Sequence, residues 1–292
     1  TGLIEVEVEG GRKFRKTLKD FKLWSPEEPN MTTIEVDGRK VRFGVRQIEA
    51  RDRKLWLNGK ELFLKGVNRH DQSPLGGATV PEIEWVQDLQ HLKDLGGNFI
   101  RGAHYQQADR FLELCDEMGV LVWEESLGWG NGQDYTKSVG DCTDPEFREQ
   151  QIKQTRDMVR NSFNHPSVII FSFLNEPGST TKECKSLIDE LIATVKAENS
   201  GRLVTFACNM GVNDICNDNT DLIAINNYPG VIPCYPGEPA TLRKKVNESF
   251  DEIVASFRTR YPDKPIMISE TGYGAVYGWH DQAASVSTEE FQ

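Results

Sequence analysis

Long apolar runs are missing. No stretch reaches the roughly 18 apolar residues that a membrane-spanning helix needs, and the longest runs, such as residues 168–171, are strand-sized. Basic residues are in the minority, with 34 Lys+Arg against 45 Asp+Glu and a formal net charge of −11. Such a surface repels phosphate backbones, which argues against nucleic acid as partner, and without a long apolar run no membrane partner is expected. Cysteine is sparse, at 6 in 292 residues, too few for a disulfide scaffold. Cys115 and Cys184 fall inside helical patterns and read as small core residues. No CxxC pair joins Cys208, Cys216 and Cys234, and the 5 histidines are scattered without an HExxH, so no metal site is expected. GxGxxG, P-loop and GxSxG patterns are absent too, which removes the signatures of nucleotide and acyl chemistry. What remains is 38% hydrophobic and 27% charged, the balance of a folded chain of one to two domains at about 100–200 residues each.

Residues 1–48 read as β. Leu3, Ile4, Val6 and Val8 nearly alternate, Thr33, Ile34 and Val36 lead into an Asp37-Gly38 turn, and Val41, Phe43 and Val45 alternate again. These look like the last strands of a β-sandwich. From about Lys54 the texture changes, and short apolar strands alternate with amphipathic helices. The predicted strands are 62–67, 99–101, 120–124, 168–174, 203–206, 222–226 and 266–269. Between them run stripes at Ile83/Val86/Leu89/Leu92/Leu95, Phe111/Cys115/Met118, Ile152/Thr155/Val159/Phe163 and Leu187/Leu191/Val195. The cleanest is Leu242/Val246/Phe250/Ile253/Phe257. This alternation predicts a parallel α/β sheet, either doubly wound or a (β/α)8 barrel, with seven strands visible and no eighth.

In such folds the reactive groups follow the strands at their C-terminal ends. The residues there are Asn68-Arg69-His70-Asp71, Arg101 through His104-Tyr105, Glu124-Glu125, Asn175-Glu176, Asn226-Asn227-Tyr228 and Glu270. They are carboxylates, amides and other groups that hydrogen-bond hydroxyls. Two facing carboxyls, one protonated and one ionised, are what glycosidic bond cleavage requires. Strands four and seven, which carry Glu176 and Glu270, face each other across a barrel. A lone carboxylate at a strand end is as readily a solvated loop residue. Glu176 is set apart by an Asn-Glu-Pro that follows directly on an apolar strand.

Phe173-Leu174-Asn175-Glu176-Pro177 resembles the acid/base motif of glycoside hydrolase family 2, and Ile268-Ser269-Glu270-Thr271-Gly272-Tyr273-Gly274 resembles its nucleophile motif. Lys65-Gly66-Val67-Asn68-Arg69-His70 is similar to its first barrel strand, and Leu23-Trp24-Ser25-Pro26-Glu27-Glu28-Pro29-Asn30 to its approach from sandwich to barrel. Within the family, Gly278-Trp279-His280 and the stretch Thr288 to Gln292 are similar to the β-glucuronidases. Gln72 departs from that group, where an acidic residue touches the sugar hydroxyls, and this keeps β-galactosidase or another β-hexosidase or uronidase as the alternative. The resemblance implies an immunoglobulin-like sandwich end over 1–48 and an incomplete (β/α)8 TIM barrel, strands one to seven, over 49–292. It implies retaining exo-hydrolysis of a β-linked sugar, most simply a β-D-glucuronide, with no cofactor, and a homo-oligomer of the full-length protein. A non-enzymatic carbohydrate-binding module on a decayed barrel would predict the loss of one carboxylate.

Roles follow from the same resemblance. Glu176 is the expected acid/base and Glu270 the nucleophile. Asn175 is the expected partner of the sugar 2-hydroxyl, and Tyr228 a donor to the nucleophile. His104 and Arg101 line the pocket, with a barrel ion pair to Glu270 or Glu124 as the equal reading of Arg101. His70, Asp71 and Gln72 complete the sugar-binding set, with a satisfied core histidine as the equal reading of His70. Tyr105 and Trp129 read as packing or as stacking surfaces for a sugar. Glu176 is expected to stay protonated beside apolar walls and the charge of Glu270, while donors hold Glu270 ionised. The cation set for a uronate carboxylate, and the eighth strand, are both expected outside residues 1–292. Sequons at Asn30 and Asn247 leave the compartment open.

Overall fold

The computed structural model describes residues 2–8, 11–74, 76–132, 141–229 and 239–292. The N-terminal part consists of antiparallel ribbons. β1 (Gly2–Val8) pairs with β2 (Arg12–Leu18), and β3 (Thr32–Val36) with β4 (Arg39–Phe43). Asp37 and Gly38 join the second pair, both with positive φ, at 52° and 73°, the conformation that a two-residue hairpin turn demands. β5 (Ile48–Arg51), β6 (Lys54–Leu57) and β7 (Lys60–Leu62) form a further meander.

The barrel strands are β8 (Gly66–Arg69), β9 (Phe99–Gly102), β10 (Leu121–Trp129), β11 (Val168–Asn175), β12 (Leu203–Thr205), β13 (Ala207–Cys208), β14 (Ile223–Asn226) and β15 (Ile266–Glu270). All their pairings are parallel, in the orders β12-β11-β10-β9-β8 and β13-β14-β15. Only Phe206 separates β12 from β13, so together they make one fifth strand, broken at that residue. The helices between them are α1 (Glu82–Asp94), α2 (Asp109–Met118), α3 (Pro145–Asn161), α4 (Lys182–Ala197) and α5 (Pro239–Arg260).

Local chemistry sets these boundaries. Asp144 caps α3 by accepting from the Glu146 N–H at 2.9 Å, and Pro145 supplies the first helical residue. α2 ends at Gly119, left-handed at φ 71°, where a Cβ would also lie 2.2 Å from the Pro26 carbonyl oxygen. Trp24, fully buried, donates its indole N–H to the Asp116 carbonyl at 2.9 Å and so anchors the approach segment on the barrel. All eight residues of β11 are buried, as an apolar strand covered on both faces should be. Along β9 and β10 the alternation divides two cores. Ile100 and Val122 pack outward on α1–α4, while Phe99, Leu121 and Trp123 pack with Trp24, Leu55 and Leu57.

Several expectations need correction. The first barrel strand begins at Gly66 rather than Leu62, because 60–62 close the β5–β7 meander. β10 runs on to Trp129, past Glu124. Ile83 and Leu95, at the two ends of α1, are 63% and 83% exposed, and Phe163, beyond the end of α3, is 39% exposed, so those stripes reach the core only at their middles. The α5 stripe buries fully only Phe257 among its described side chains, and Leu242 lies outside them. Cys184 is buried as expected, but in a disulfide with Cys142 rather than as a thiol. Cys234 lies outside the described residues. Among the described residues no strand pairs with the free edges of β8 and β15. The cleft between those edges measures about 840 Å³ and is lined by Val67, Asn68, Arg101, Ile268 and Glu270.

Candidate active site

The site is built where the strands end. Arg101, on β9, is buried at its centre. It forks onto Glu125 of β10, with Nε and Nη2 at 2.9 to 3.1 Å from the carboxylate. Its Nη2 also donates to the Asn175 side-chain oxygen at 2.9 Å, and its Nη1 donates to Glu270. The Trp123 ring lies under the guanidinium, 5.1 Å from its centre, and its indole N–H donates to Glu125 at 3.0 Å. Burial pushes the Glu125 carboxyl up, but the Arg101 charge and His104 overcome that, and its pKa lies below the ordinary value.

Glu270 ends β15 and receives a second donor. The Tyr228 hydroxyl donates to its Oε2 at 2.7 Å, and burial together with that bond raises the tyrosine's own pKa. Both partners are donors to the carboxylate. Glu176 follows β11 with a left-handed backbone, φ 50°, as has Leu174 two residues earlier at 53°. Such conformations persist only where the surroundings impose them, and they collect at working sites. Here the Glu176 N–H is tied to the Ala207 carbonyl at 2.9 Å. Asn226 donates to Glu176 Oε1 at 2.9 Å, and Asn209 to Oε2 at 2.9 Å. Burial, with the Glu270 charge adding to it, raises the Glu176 carboxyl above its ordinary value in spite of the Asn226 bond. Asn226 also donates to Asn175 Oδ1 at 3.1 Å. Glu270, Arg101, Asn175, Asn226 and Glu176 thus form one continuous hydrogen-bonded path.

Residues 48–292 match the family Glycosyl hydrolases family 2, TIM barrel domain. The chain belongs to that family. It is 30% identical over 268 residues to the β-glucuronidase of Mus musculus, covering 91% of this chain and 40% of that one. To the β-glucuronidase of Streptococcus agalactiae it is 27% identical, covering 95% and 49%. The solved structure of the GH2 β-galacturonidase from Eisenbergiella tayi bound to galacturonate superposes with a TM-score of 0.83 at 30% identity, covering 98% of this chain and 51% of that one. The chain therefore spans about half the length, or less, of these relatives.

In this family 2 domain the expected site residues separate into two groups. Glu176, Glu270, Asn175, Tyr228 and Arg101 share the hydrogen-bonded centre, and His104 Nδ1 lies 3.2 Å from Glu125. His70 is exposed, not a core histidine, and stacks edge-on against His104 with ring centres 5.1 Å apart. Burial of its ring, then the neighbouring His104, lowers its pKa. Asp71 is drawn away from the centre, accepting from Arg69 at 3.0 Å and from the Trp85 indole at 2.8 Å. Gln72 is exposed. Tyr105 accepts from the Asp71 N–H at 2.8 Å, and Trp129 stands opposite Asn175 at the tip of β10, 46% exposed.

The ion pair of Arg101 includes Glu270, as one reading had it, but its other member is Glu125 and not Glu124. Strand alternation turns Glu124 to the helix side, where it accepts from the Gln107 N–H at 3.1 Å. Three contributors had no role in the sequence reading: Glu125, Asn226 and Asn209. Trp123 and Glu125 share a face of β10, but residues 120–123 are apolar at every position, so the sequence does not choose between Glu124 and Glu125. Nothing in the sequence marked Asn209. No helix of the described residues is long and apolar enough to cross a membrane.

Proposed function

We propose that this chain is the catalytic barrel of a retaining exo-β-uronidase, with β-D-glucuronides as substrates. The observation that carries the reading is the contrast between two carboxyls on one hydrogen-bonded path. Glu176, raised by burial and the nearby negative charge, is the acid/base. Glu270, held by Tyr228 and Arg101, is the nucleophile. In the first step Glu270 attacks the anomeric carbon while Glu176 gives its proton to the departing oxygen. In the second, Glu176 takes a proton from the water that releases the sugar. In this reading Asn175 donates to the sugar 2-hydroxyl through its amide N–H, its Oδ1 accepting from Arg101 and Asn226. His104 lies against Glu125, with His70 edge-on to its ring.

The relatives named above support a uronide over a neutral hexoside, because their own names are those of uronidases. The β-galacturonidase among them favours a second reading, the C4 epimer of the same sugar acid. Residues 1–48 we assign to the end of an immunoglobulin-like sandwich, 49–292 to the barrel, and the whole protein to a homo-oligomer. The test is hydrolysis of 4-nitrophenyl β-D-glucuronide, β-D-galacturonide and β-D-galactoside side by side. The expected order has the glucuronide first, and Glu270→Ala abolishes turnover. NMR of the first-formed product should show the β-anomer. An α-product, or a galactoside preference, overturns the corresponding part of the reading.

A further inference from the structure

We propose that Asn209 is a positioning residue for proton transfer, holding Oε2 of Glu176 as the oxygen that carries the mobile proton. The proposal rests on the assignment of Glu176 as acid/base and says which of its oxygens works. Oε1 accepts from Asn226, whose amide cannot turn. Asn226 is 4% exposed, its Oδ1 accepts from the Ser269 hydroxyl at 2.7 Å, and its Nδ2 also reaches Asn175 Oδ1 at 3.1 Å. Rotating that amide would set its oxygen against the oxygens of Glu176 and Asn175 and leave Ser269 without its acceptor. Oε1 therefore meets a fixed N–H donor in every protonation state, the role of the carbonyl oxygen of the acid form, which is the better acceptor of the two. The proton accordingly sits on Oε2.

Oε2 faces Asn209, an exposed residue directly after β13. The same short strand fixes the Glu176 backbone, through the N–H bonded to the Ala207 carbonyl. One segment therefore sets both where Glu176 stands and how its outer oxygen points. When the Oε2 proton passes to the departing oxygen, the bond from the anomeric carbon breaks and the electron pair stays on that oxygen. A carboxylate is left on Glu176, and Asn209 meets it with a donated N–H. A donor to the charged form favours it, so Asn209 speeds proton release and limits the pH range over which the proton is retained.

The test is the pH profile of kcat/KM on the aryl β-uronide that the protein turns over, with phenol as a leaving group that needs protonation. Asn209→Ala should move the alkaline limb upward by about one pH unit, the tenfold change expected for one hydrogen bond to a charged group. Asn209→Asp should move it further, because a second negative charge beside Glu176 disfavours ionisation. Melting temperatures should stay at the wild-type value, since the residue is exposed. A limb that stays in place in Asn209→Ala, whatever the fall in kcat, overturns the proposal. So does a limb that moves in Asn226→Ala but not in Asn209→Ala. The underlying assignment is tested separately with Glu176→Ala on phenyl and 2,4-dinitrophenyl uronides. Equal loss on both removes the acid/base reading and the Asn209 proposal with it, whereas an unmoved limb removes only the latter.

Discussion

Arg101 and Glu125 form an ion pair with side-chain exposures of 1% and 0% and an Nη2–Oε2 distance of 2.9 Å. Two charges this deep are stable only when paired, and a buried charge left alone costs about 3–5 kcal/mol. In Glu125→Ala the guanidinium keeps Glu270, so the expected loss of unfolding stability in denaturant titration is smaller, about 1–3 kcal/mol. Arg101→Lys should also fail, since a point charge cannot fork onto Glu125 while reaching Glu270 and Asn175. Activity in Arg101→Lys should fall by about 10²–10³. Wild-type turnover in that variant would show that the guanidinium geometry does not matter.

Tyr228→Phe removes one donor from Glu270 and leaves the Arg101 contact. A lost donor weakens the hydrogen bonding that holds the proposed nucleophile, at a cost of about 1.5 kcal/mol, roughly a tenfold fall in kcat/KM. The alkaline limb of the pH profile, assigned to Glu176, should keep its position. A limb that moves with Tyr228→Phe would exchange the roles proposed for Glu176 and Glu270.

The strand tips were legible because an apolar run followed by a polar group is a sequence pattern, and a parallel barrel places every such group at one mouth. Asn175 ends β11 with Glu176 directly after it, and Ser269-Glu270 end β15, as that pattern predicts. Glu125 was not legible as Arg101's partner. In Glu124-Glu125 either residue could face inward, and the face is set by the pairing of Trp123 with Ile170 and Glu125 with Ser172. Asn209 was hidden because the fifth strand, broken at Phe206, resumes as β13 and runs to Cys208, two residues past the expected end. Asp71, expected among the sugar-binding residues, turns instead to Trp85, a contact with α1 that no local pattern announces.

The Cys142–Cys184 disulfide joins the segment before α3 to the first turn of α4, a separation of 42 residues. Closing a loop of that size restricts the unfolded chain, an effect of about 2–4 kcal/mol. Cys142→Ser should lower the melting temperature, and adding reductant should lower the wild type to the same value. In the variant, reductant should have no further effect. Peptide mapping that finds both thiols free in the native protein would remove the bond from the account.

Glu124 carries the clearest pH signature in the fold. Burial pushes its carboxyl up to about 8, and its Oε2 meets no hydrogen-bond partner among the described residues. The ordinary value is 4.5. Below that, the group is neutral folded and unfolded, and stability is intact. As pH rises toward 8, the unfolded chain ionises while the folded one resists, so unfolding releases a proton and stability falls. The loss is complete once the folded group ionises as well. His165, raised by its bond to Asp116 against the pull of burial, adds a slope of the same sign, because its charged form is the one the fold favours. Glu124→Gln separates the two. The amide reproduces the neutral acid, with an acceptor at Oε1 for the Gln107 N–H and an N–H in place of the acid proton. The variant should match the wild type near pH 4.5 and exceed it by a few kcal/mol at pH 8, on the order of 1.4 kcal/mol for each pH unit between the two pKa values. Denaturant titrations from pH 4.5 to 8.5 check this. Parallel curves for the two proteins would mean that Glu124 is ionised in the fold and that the slope belongs to His165.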